Sequence, residues 1–437
     1  MPAQPFPLEL WSEAVYSRRS IPDTLAEGGY AAESPEADVA APPTGRRFVL
    51  ARPPLRLEPR HRAPGAGHPA DADLSALLHY SFGLLQHDLT PGGWPLHRAV
   101  ASARCLYPSE LHLVSTSAPG GQRPATVHRF DPIQHQLVLV QGDADGQSPQ
   151  LPYRAGSSGF LVITSRFART ARLYGGYAPR LCAQEAGMLL GAVHLVAAAL
   201  GLRARPGLDR EQLLDLCDGW VEPQAEHPMG YLEVGPAVDP GDRRSWVPPD
   251  LAGALRARHS GAAIFDPEPV PAPRALLDDL GAALAAAPFT DFSCHLLVSR
   301  VAELPAGHYR YTGDRLRLVR SGDTVPMLEQ IGQTEGRVSM NFRAVAFTAY
   351  LAVRRGSAVT SHGEDAFRRL HLVAGAAAHL LGVVAARHGH SARVHNGYDA
   401  AAAERLLGLA GAEQTVLFQI AVGAAKPAPG FRLPVVF

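Results

Sequence analysis

A long internal repeat constrains this chain more than any other feature. Ala186-Gly187 recurs as Ala374-Gly375, and Gly201, fourteen residues after Gly187, recurs as Gly389, fourteen after Gly375. The offset of 188 residues also relates Ala204-Arg205 to Ala392-Arg393 and Val234-Gly235 to Val422-Gly423. Upstream it relates Gly175 to Gly363 and Arg180 to Arg368. Self-similarity at a fixed offset means that one structural unit is used more than once. Each copy reads as a loop, a long Ala-rich helix, a short loop, a second helix and an apolar strand ending in Val-Gly. Those strands are GYLEVG (230–235) and LFQIAVG (417–423).

Earlier parts of the two copies correspond more loosely. HRFDPIQHQLVLVQGD (128–143) resembles HYRYTGDRLRLVRSGD (308–323), and both alternate apolar residues around a tight turn, the pattern of a hairpin. LHLVS (111–115) resembles HLLVS (295–299). The expected organisation is an N-terminal arm over 1–60, an α+β half over 61–240, a Pro-rich join (VDPGDRRSWVPPD), and a second α+β half over 241–437. The arm is rich in Pro, Ala and Glu with little periodicity, so it is expected to wrap around the halves. Two fused halves imply an intrachain pseudo-dimer, with a site across the interface and each half free to specialise.

Composition narrows the partners. The chain of 437 residues carries 41 basic and 41 acidic residues, so no net field draws it to nucleic acid or to a membrane surface. The most apolar stretch, AQEAGMLLGAVHLVAAALGL (183–202), approaches the length of a membrane span but holds Gln184, Glu185 and His194. It reads as a buried core helix. Four cysteines, Cys105, Cys182, Cys217 and Cys294, form no CxxC pair, which argues against a zinc site or a disulfide scaffold. Reduced thiols in a cytoplasmic protein are expected. The first residues lack a basic segment followed by an apolar core, so no signal peptide is read there.

Two short stretches could carry chemistry. RAVASARCLYPSEL (98–111) places Arg98, Ser102 and Tyr107-Pro108 ahead of an apolar strand. Proline cannot donate to a β-ladder, so Pro108 belongs at a strand start or edge. Ser102 lies in a loop of small side chains that a ligand could approach. Arg258-His259-Ser260 opens the second half. Arginine offers a planar fork for phosphate oxygens, and near a helix start this triplet would make an anion site.

Arg258-His259-Ser260, the long helix with its Ala-Gly, Asn396-Gly397-Tyr398-Asp399 and the late Arg432 together resemble the nitroreductase family of flavin enzymes. The resemblance extends over most of the second half. It implies that Arg258, His259, Ser260 and Arg432 grip the phosphate of FMN, with Asn396 and Gly397 beside the flavin ring. RAVASARCLYPSEL resembles a segment of the azoline-oxidising branch, the SagB/McbC-type dehydrogenases, with the pattern R-x-x-P-S-A-G-x-L-Y-P-x-E-L. Arg98, Ser102, Ala103, Leu106, Tyr107, Pro108, Glu110 and Leu111 fit it. Ala101 replaces the proline, and Arg104, a bulky cation, replaces the glycine. In this family the Ser-containing loop reaches across the dimer to the partner's flavin, so Ser102, Ala103 and Arg104 are expected at the ring.

The resemblance is asymmetric. The first half has the Ser102 loop but only Arg60-His61-Arg62 as its triplet; the second has Arg258-His259-Ser260 but no such loop. One composite site and one FMN per chain follow. The branch uses a Lys-Tyr pair shortly before the long helix for proton transfer. Here Leu173-Tyr174 and Ser361-His362 take those places, so the lysine is absent. His362, with a pKa near neutrality and in the half that grips phosphate, is the expected base, and Tyr174 the second candidate. Glu185 receives no catalytic role. The resemblance implies oxidation of thiazolines or oxazolines to thiazoles or oxazoles in a ribosomally made peptide. A precursor peptide and the cyclodehydratase that makes the azolines are the implied partners, and a homodimer is left open. An NAD(P)H-dependent nitro- or quinone-type reductase and a non-catalytic scaffold subunit are the alternatives.

Overall fold

The computed structural model describes residues 8–16, 45–57, 71–89, 94–116, 124–142, 159–222, 225–236, 246–260, 265–334, 337–338, 340–411, 413–426, 432–435 and 437. The repeat is visible in strand order. The first sheet runs Arg47–Val49, Gln136–Gln141, Pro124–Asp131, Ser109–Thr116, Gly159–Ser165, His227–Pro236, Leu202–Gly207. The second runs Arg315–Ser321, Gly307–Thr312, Phe292–Val298, Phe347–Arg354, Gln414–Gly423, Ser391–His395. Without the edge strand Arg47–Val49, the two orders coincide, and all these pairings are antiparallel.

The two long helices, Ala178–Ala199 and Asp365–Arg387, cross where the repeat places its glycines. A Cβ on Gly187 would lie 2.7 Å from the His371 carbonyl oxygen, and one on Gly375 would lie 2.8 Å from Gly187 Cα. Gly191 faces Ala376 Cα at 2.8 Å in the same way. The Ala-Gly pairs are thus the condition for backbone-to-backbone contact at the pseudo-two-fold axis. Both helices are long and apolar enough to cross a membrane, yet both are mostly buried in the fold. Each is covered on several sides by its own half and by the other, which explains an apolar character that continues around the helix. One continuous hydrophobic cluster takes in residues of both halves, from Leu77 and Val193 to Leu381 and Phe418.

A second symmetric device ties the halves together. Strand His227–Pro236 slips register between Ile163 and Thr164, leaving Met229 as the extra residue; Gln414–Gly423 does the same at Leu417. These bulges sit 188 residues apart, and each carbonyl faces the opposite half. Arg180 donates Nη2 to Leu417 O at 2.9 Å, and Arg368 donates Nη1 to Met229 O at 2.6 Å. The repeated arginine and the repeated bulge are therefore one interaction made twice.

Sheet pairing corrects one sequence alignment. Ser109 pairs with Ser165, whereas Phe292 pairs with Val353, the residue 188 positions beyond Ser165. His112 is thus equivalent to His295, one residue away from the match that LHLVS and HLLVS suggest. Short apolar strings align equally well in adjacent registers, and backbone pairing decides between them. The described part of the N-terminal segment engages both halves. Trp11 meets the Phe367 ring at 5.1 Å, Tyr16 Oη lies 2.9 Å from Thr415 Oγ1, and Arg47–Val49 extends the first sheet.

Candidate functional site

The Ser102 loop joins strand Leu96–Arg98 to Ser109–Thr116. Its backbone is left-handed at Arg104 (φ 48°), Cys105 (φ 57°) and Tyr107 (φ 45°). Such conformations favour glycine and cost an L-residue about 1–2 kcal/mol each. This gives a physical reason for glycine in the family pattern at the place of Arg104. The Arg104 residue itself is exposed, so its bulk is accommodated at the surface.

The loop is held from several directions. Ser102 Oγ accepts from Tyr107 N at 2.9 Å. Glu185, buried on the first long helix, accepts from Ser109 N at 3.2 Å. Burial pushes the Glu185 carboxyl up, while hydrogen bonds from Ser102 and Ser109 hold it down. Arg169 donates to Tyr107 O at 2.9 Å and to Glu110 at 2.8 Å. The Arg98 guanidinium lies 4.3 Å from the centre of the Tyr107 ring and 4.8 Å from that of Phe82.

Arg258 arrives at this loop from the second half. It follows the C-terminus of helix Leu251–Ala257, so the triplet closes a helix and does not open one as the sequence suggested. Arg258 is 7% exposed and donates Nη2 to Arg98 O at 3.2 Å. Among the described residues its buried Nε has no hydrogen-bond partner, and no carboxylate pairs with Arg258 or Arg98. Its stem lies along Gly382, whose added Cβ would stand 3.7 Å from Arg258 Cγ.

Other groups join this cluster. Strand Arg432–Pro434 pairs with Leu84–Asp88 of the first half and brings Arg432 Nε within 3.1 Å of Asp88 Oδ2. Burial and then Arg432 and Arg258 hold His259 down at about 4, with Asp88 opposing. Burial and then Arg258 hold both His97 and His379 at about 3. Both ring nitrogens of His379 are buried without a partner among the described residues. A buried cation with an orphaned donor is costly unless an acceptor completes it. Arg258 therefore fits an anionic acceptor, such as the phosphate of a flavin mononucleotide. Half-buried Ser260 follows directly in the chain.

Asn396 is bound to the first long helix. Its amide exchanges two hydrogen bonds with Gln184, at 2.8 and 3.1 Å, and Gln184 also donates to Leu417 O at 2.9 Å. Gly397 passes so close to His395 that an added Cβ would meet the ring at 2.7 Å. The rest of the motif is structural. Tyr398 is buried and donates to Val416 O while accepting from Arg180, and Asp399 caps helix Ala400–Leu406 through Ala402 N. Gln184, His97 and His379 were missed as members of this neighbourhood. Gln184 was visible as a polar interruption of an apolar helix, but nothing in sequence showed what it faces.

The two predicted proton-transfer residues separate. Tyr174 ends helix Phe167–Tyr174, which Arg169 ties to the Ser102 loop. His362 ends the equivalent helix, Arg355–His362, and is exposed on a different cavity with Arg310, Arg354 and Arg369. That cavity contains none of Arg258, His259, Ser102 or Asn396 in its wall. His362 is therefore not brought to the Arg258 cluster. The helix that reaches the Ser102 loop comes from the half that supplies the loop, not the half that supplies the phosphate grip. Arg60-His61-Arg62 falls outside the described residues.

No family model matches the sequence, and no curated protein matches it. Solved structures do. A protein of Anabaena variabilis described as a nitroreductase superposes with a TM-score of 0.67 at 19% identity, covering 96% of this chain and 99% of that one. A Ralstonia eutropha protein described as a nitroreductase is similar to 44% of this chain over 90% of its own length, at 19% identity and a TM-score of 0.30. A chain of the E. coli microcin synthetase complex with truncated pro-microcin bound covers 41% of this chain and 71% of itself, at 20% identity and a TM-score of 0.30. The full-length superposition bears on fold alone: the chain has the nitroreductase fold, built as two fused halves.

Proposed function

We propose that this protein is an FMN-dependent dehydrogenase that oxidises azolines to azoles in a ribosomally made peptide. The observation that carries the flavin part is Arg258, a buried guanidinium with an unpartnered Nε, held by Nη2 against the loop of the opposite half. Arg258, His259, Ser260 and Arg432 would hold the phosphate, and Ser102, Ala103, Arg104, Asn396 and Gly397 would border the ring. Bound flavin supplies a two-electron acceptor for hydride, chemistry that side chains alone lack. The chain's own task is then to seat the peptide, exclude water and take up a proton. We assign the proton to Tyr174 in place of His362, because its helix is tied to the Ser102 loop. The azoline assignment rests on the resemblance of RAVASARCLYPSEL, and with it the precursor peptide and cyclodehydratase as partners in a cytoplasmic pathway.

The visible absorbance spectrum of the purified chain, with flavin quantified after denaturation, tests this reading. One FMN per chain is expected. Two would mean that the opposite site is also alive, and none after incubation with FMN would leave the scaffold reading. Leu173, where the branch carries lysine, favours the NAD(P)H-dependent reductase as the second reading. Bleaching of the flavin by NAD(P)H, without turnover of an azoline peptide, would select it. With azoline peptide, Tyr174→Phe is expected to lower kcat by about a hundredfold while flavin content holds.

A further inference from the structure

A cavity of about 620 Å³, lined by the second half and by Leu208 of the first, lies at the place equivalent to the surroundings of the Ser102 loop. Val373 stands there for Glu185 and Leu208 for Asn396, and both line it. The polar pair Gln184–Asn396 thus becomes Leu372 and Leu208, so the features that border the ring on the other side are missing.

The charged groups changed in a more telling way. In the first half, Arg166 is enclosed by carboxylates: Glu226 at 2.5 Å and Glu110 at 3.5 Å. Thr164 donates to Glu226 at 2.9 Å, and Arg169 also pairs with Glu110. By sheet register and the 188-residue offset, the second half keeps the cation as Arg354 but replaces every partner. Glu226 becomes Gln414, Glu110 becomes Ser293, Thr164 becomes Ala352 and Arg169 becomes Ser357. Ser293 and Gln414 now hydrogen-bond one another at 3.0 Å. All five residues of this altered set line the cavity. Arg310 and Arg369 line it too, Arg369 donating to Leu208 O at 2.7 Å. Among the described residues, none of Arg310, Arg354 and Arg369 has an ion-pair partner. One carboxylate, Asp291, is also in the wall. Phe292, Leu370 and Val373 add an apolar surface.

We propose that this cavity is a second binding site, for a ligand that presents a carboxylate to Arg354 and Arg310. The ligand's carboxylate replaces the two internal carboxylates that the first half retains. The volume lies within the roughly 300–1,000 Å³ common for ligand pockets. An acidic side chain of a peptide and a free dicarboxylate share this chemistry. The site does not depend on flavin.

Calorimetric titration of the full chain with hexaglutamate and, separately, with glutarate tests the proposal. Saturable binding of the peptide alone identifies a peptide source, and binding of glutarate identifies a free small molecule. Arg354→Gln should weaken either at least tenfold. The double variant Ser293→Glu with Gln414→Glu restores the first half's internal carboxylates and should abolish binding, with an unchanged thermal transition showing that the fold survives. The absence of binding by both probes overturns the proposal, as does undiminished binding by the double variant. A second equivalent of FMN that Arg354→Gln removes would overturn it as well. Flavin bound at the Arg258 site is measured on the same samples, so failure of the flavin reading is seen separately.

Discussion

The two halves agree in backbone and disagree in polar side chains. Both keep the strand order, the bulge at Met229 or Leu417, the arginine that crosses to it, and the glycine at the helix crossing. At the interface sites they part. One side has Glu185, Gln184 with Asn396, and Arg258; the other has Val373, Leu372 with Leu208, and an open cavity. The difference shows that packing at the pseudo-two-fold axis is a shared constraint, as the interior tolerates few changes of volume. Polar groups at the two sites are independent, because each site contacts its own set of neighbours.

The largest effect should come from the shared axis. Gly187→Leu or Gly375→Leu would drive a side chain into the backbone of the opposite helix, costing more than about 3 kcal/mol and leaving little soluble protein. Gly176→Ala, with nothing within 4 Å of its added Cβ, should leave calorimetric stability almost unchanged. Separate unfolding of the halves in either crossing variant would break the idea of a common axis.

Next come the crossing arginines, which are equivalent by repeat but not by charge. Arg368 is paired with buried Asp365 at 2.7 Å, whereas Arg180 has no carboxylate partner among the described residues and bonds to Ala14 O, Leu417 O and Tyr398 Oη. Arg368→Met leaves a buried carboxylate behind and should cost about 3–5 kcal/mol. Arg180→Met leaves only neutral acceptors and should cost about 1–3 kcal/mol. Equal losses in urea titrations would mean that the Asp365 pair adds nothing.

The proposed phosphate grip sharpens the comparison at the sites. Replacing Arg258 and Ser260 together by Ala should weaken flavin binding by about ten- to a hundredfold, the value of lost charge-assisted hydrogen bonds. The same change at Arg60 and Arg62 should leave flavin content unaltered. Equal loss from the two pairs, read from absorbance after gel filtration, would end the one-site description.

The smallest effect concerns acid. His371 and His379 are fully buried in the second long helix, where the first helix has Ala183 and Gly191. Burial, then Arg180 for His371 and Arg258 for His379, holds both at about 3. Their folded values lie below the ordinary 6.5, so the unfolded chain binds protons first. Their neutral burial costs nothing above that value and destabilises as pH falls from 6.5 towards 3, by about 1.4 kcal/mol per pH unit for each. His379→Gln should reduce the slope of stability against pH between 6 and 5 by about one proton. An unchanged slope would mean that His379 does not resist protonation.

Much of the architecture was legible because repeats and periodicity are properties of the string. The 188-residue offset announced two like halves, and the Ala-Gly pairs marked equivalent places in their long helices, although only the structure shows that the helices cross there. The residues around RAVASARCLYPSEL and Arg258 were legible as motifs, and the fold brings Arg258 to the backbone of Arg98. The register of HLLVS was not legible, since a five-residue similarity survives a shift of one and only hydrogen bonding to Phe347–Arg354 settles it. Nor was the side on which Tyr174 and His362 fall. Sequence shows that they are equivalent, and not which of two symmetric sites each one faces.

Sequence alone thus determined the doubled unit and the long apolar helices. Tertiary structure alone decided the pairings across the axis: Arg180 with Leu417, Arg368 with Met229, Gln184 with Asn396, Arg258 with Arg98. The physical reason is distance along the chain. Periodicity is a local consequence of backbone geometry, but these partners lie more than a hundred residues apart, and only the packing of two sheets and two helices around one axis sets them side by side.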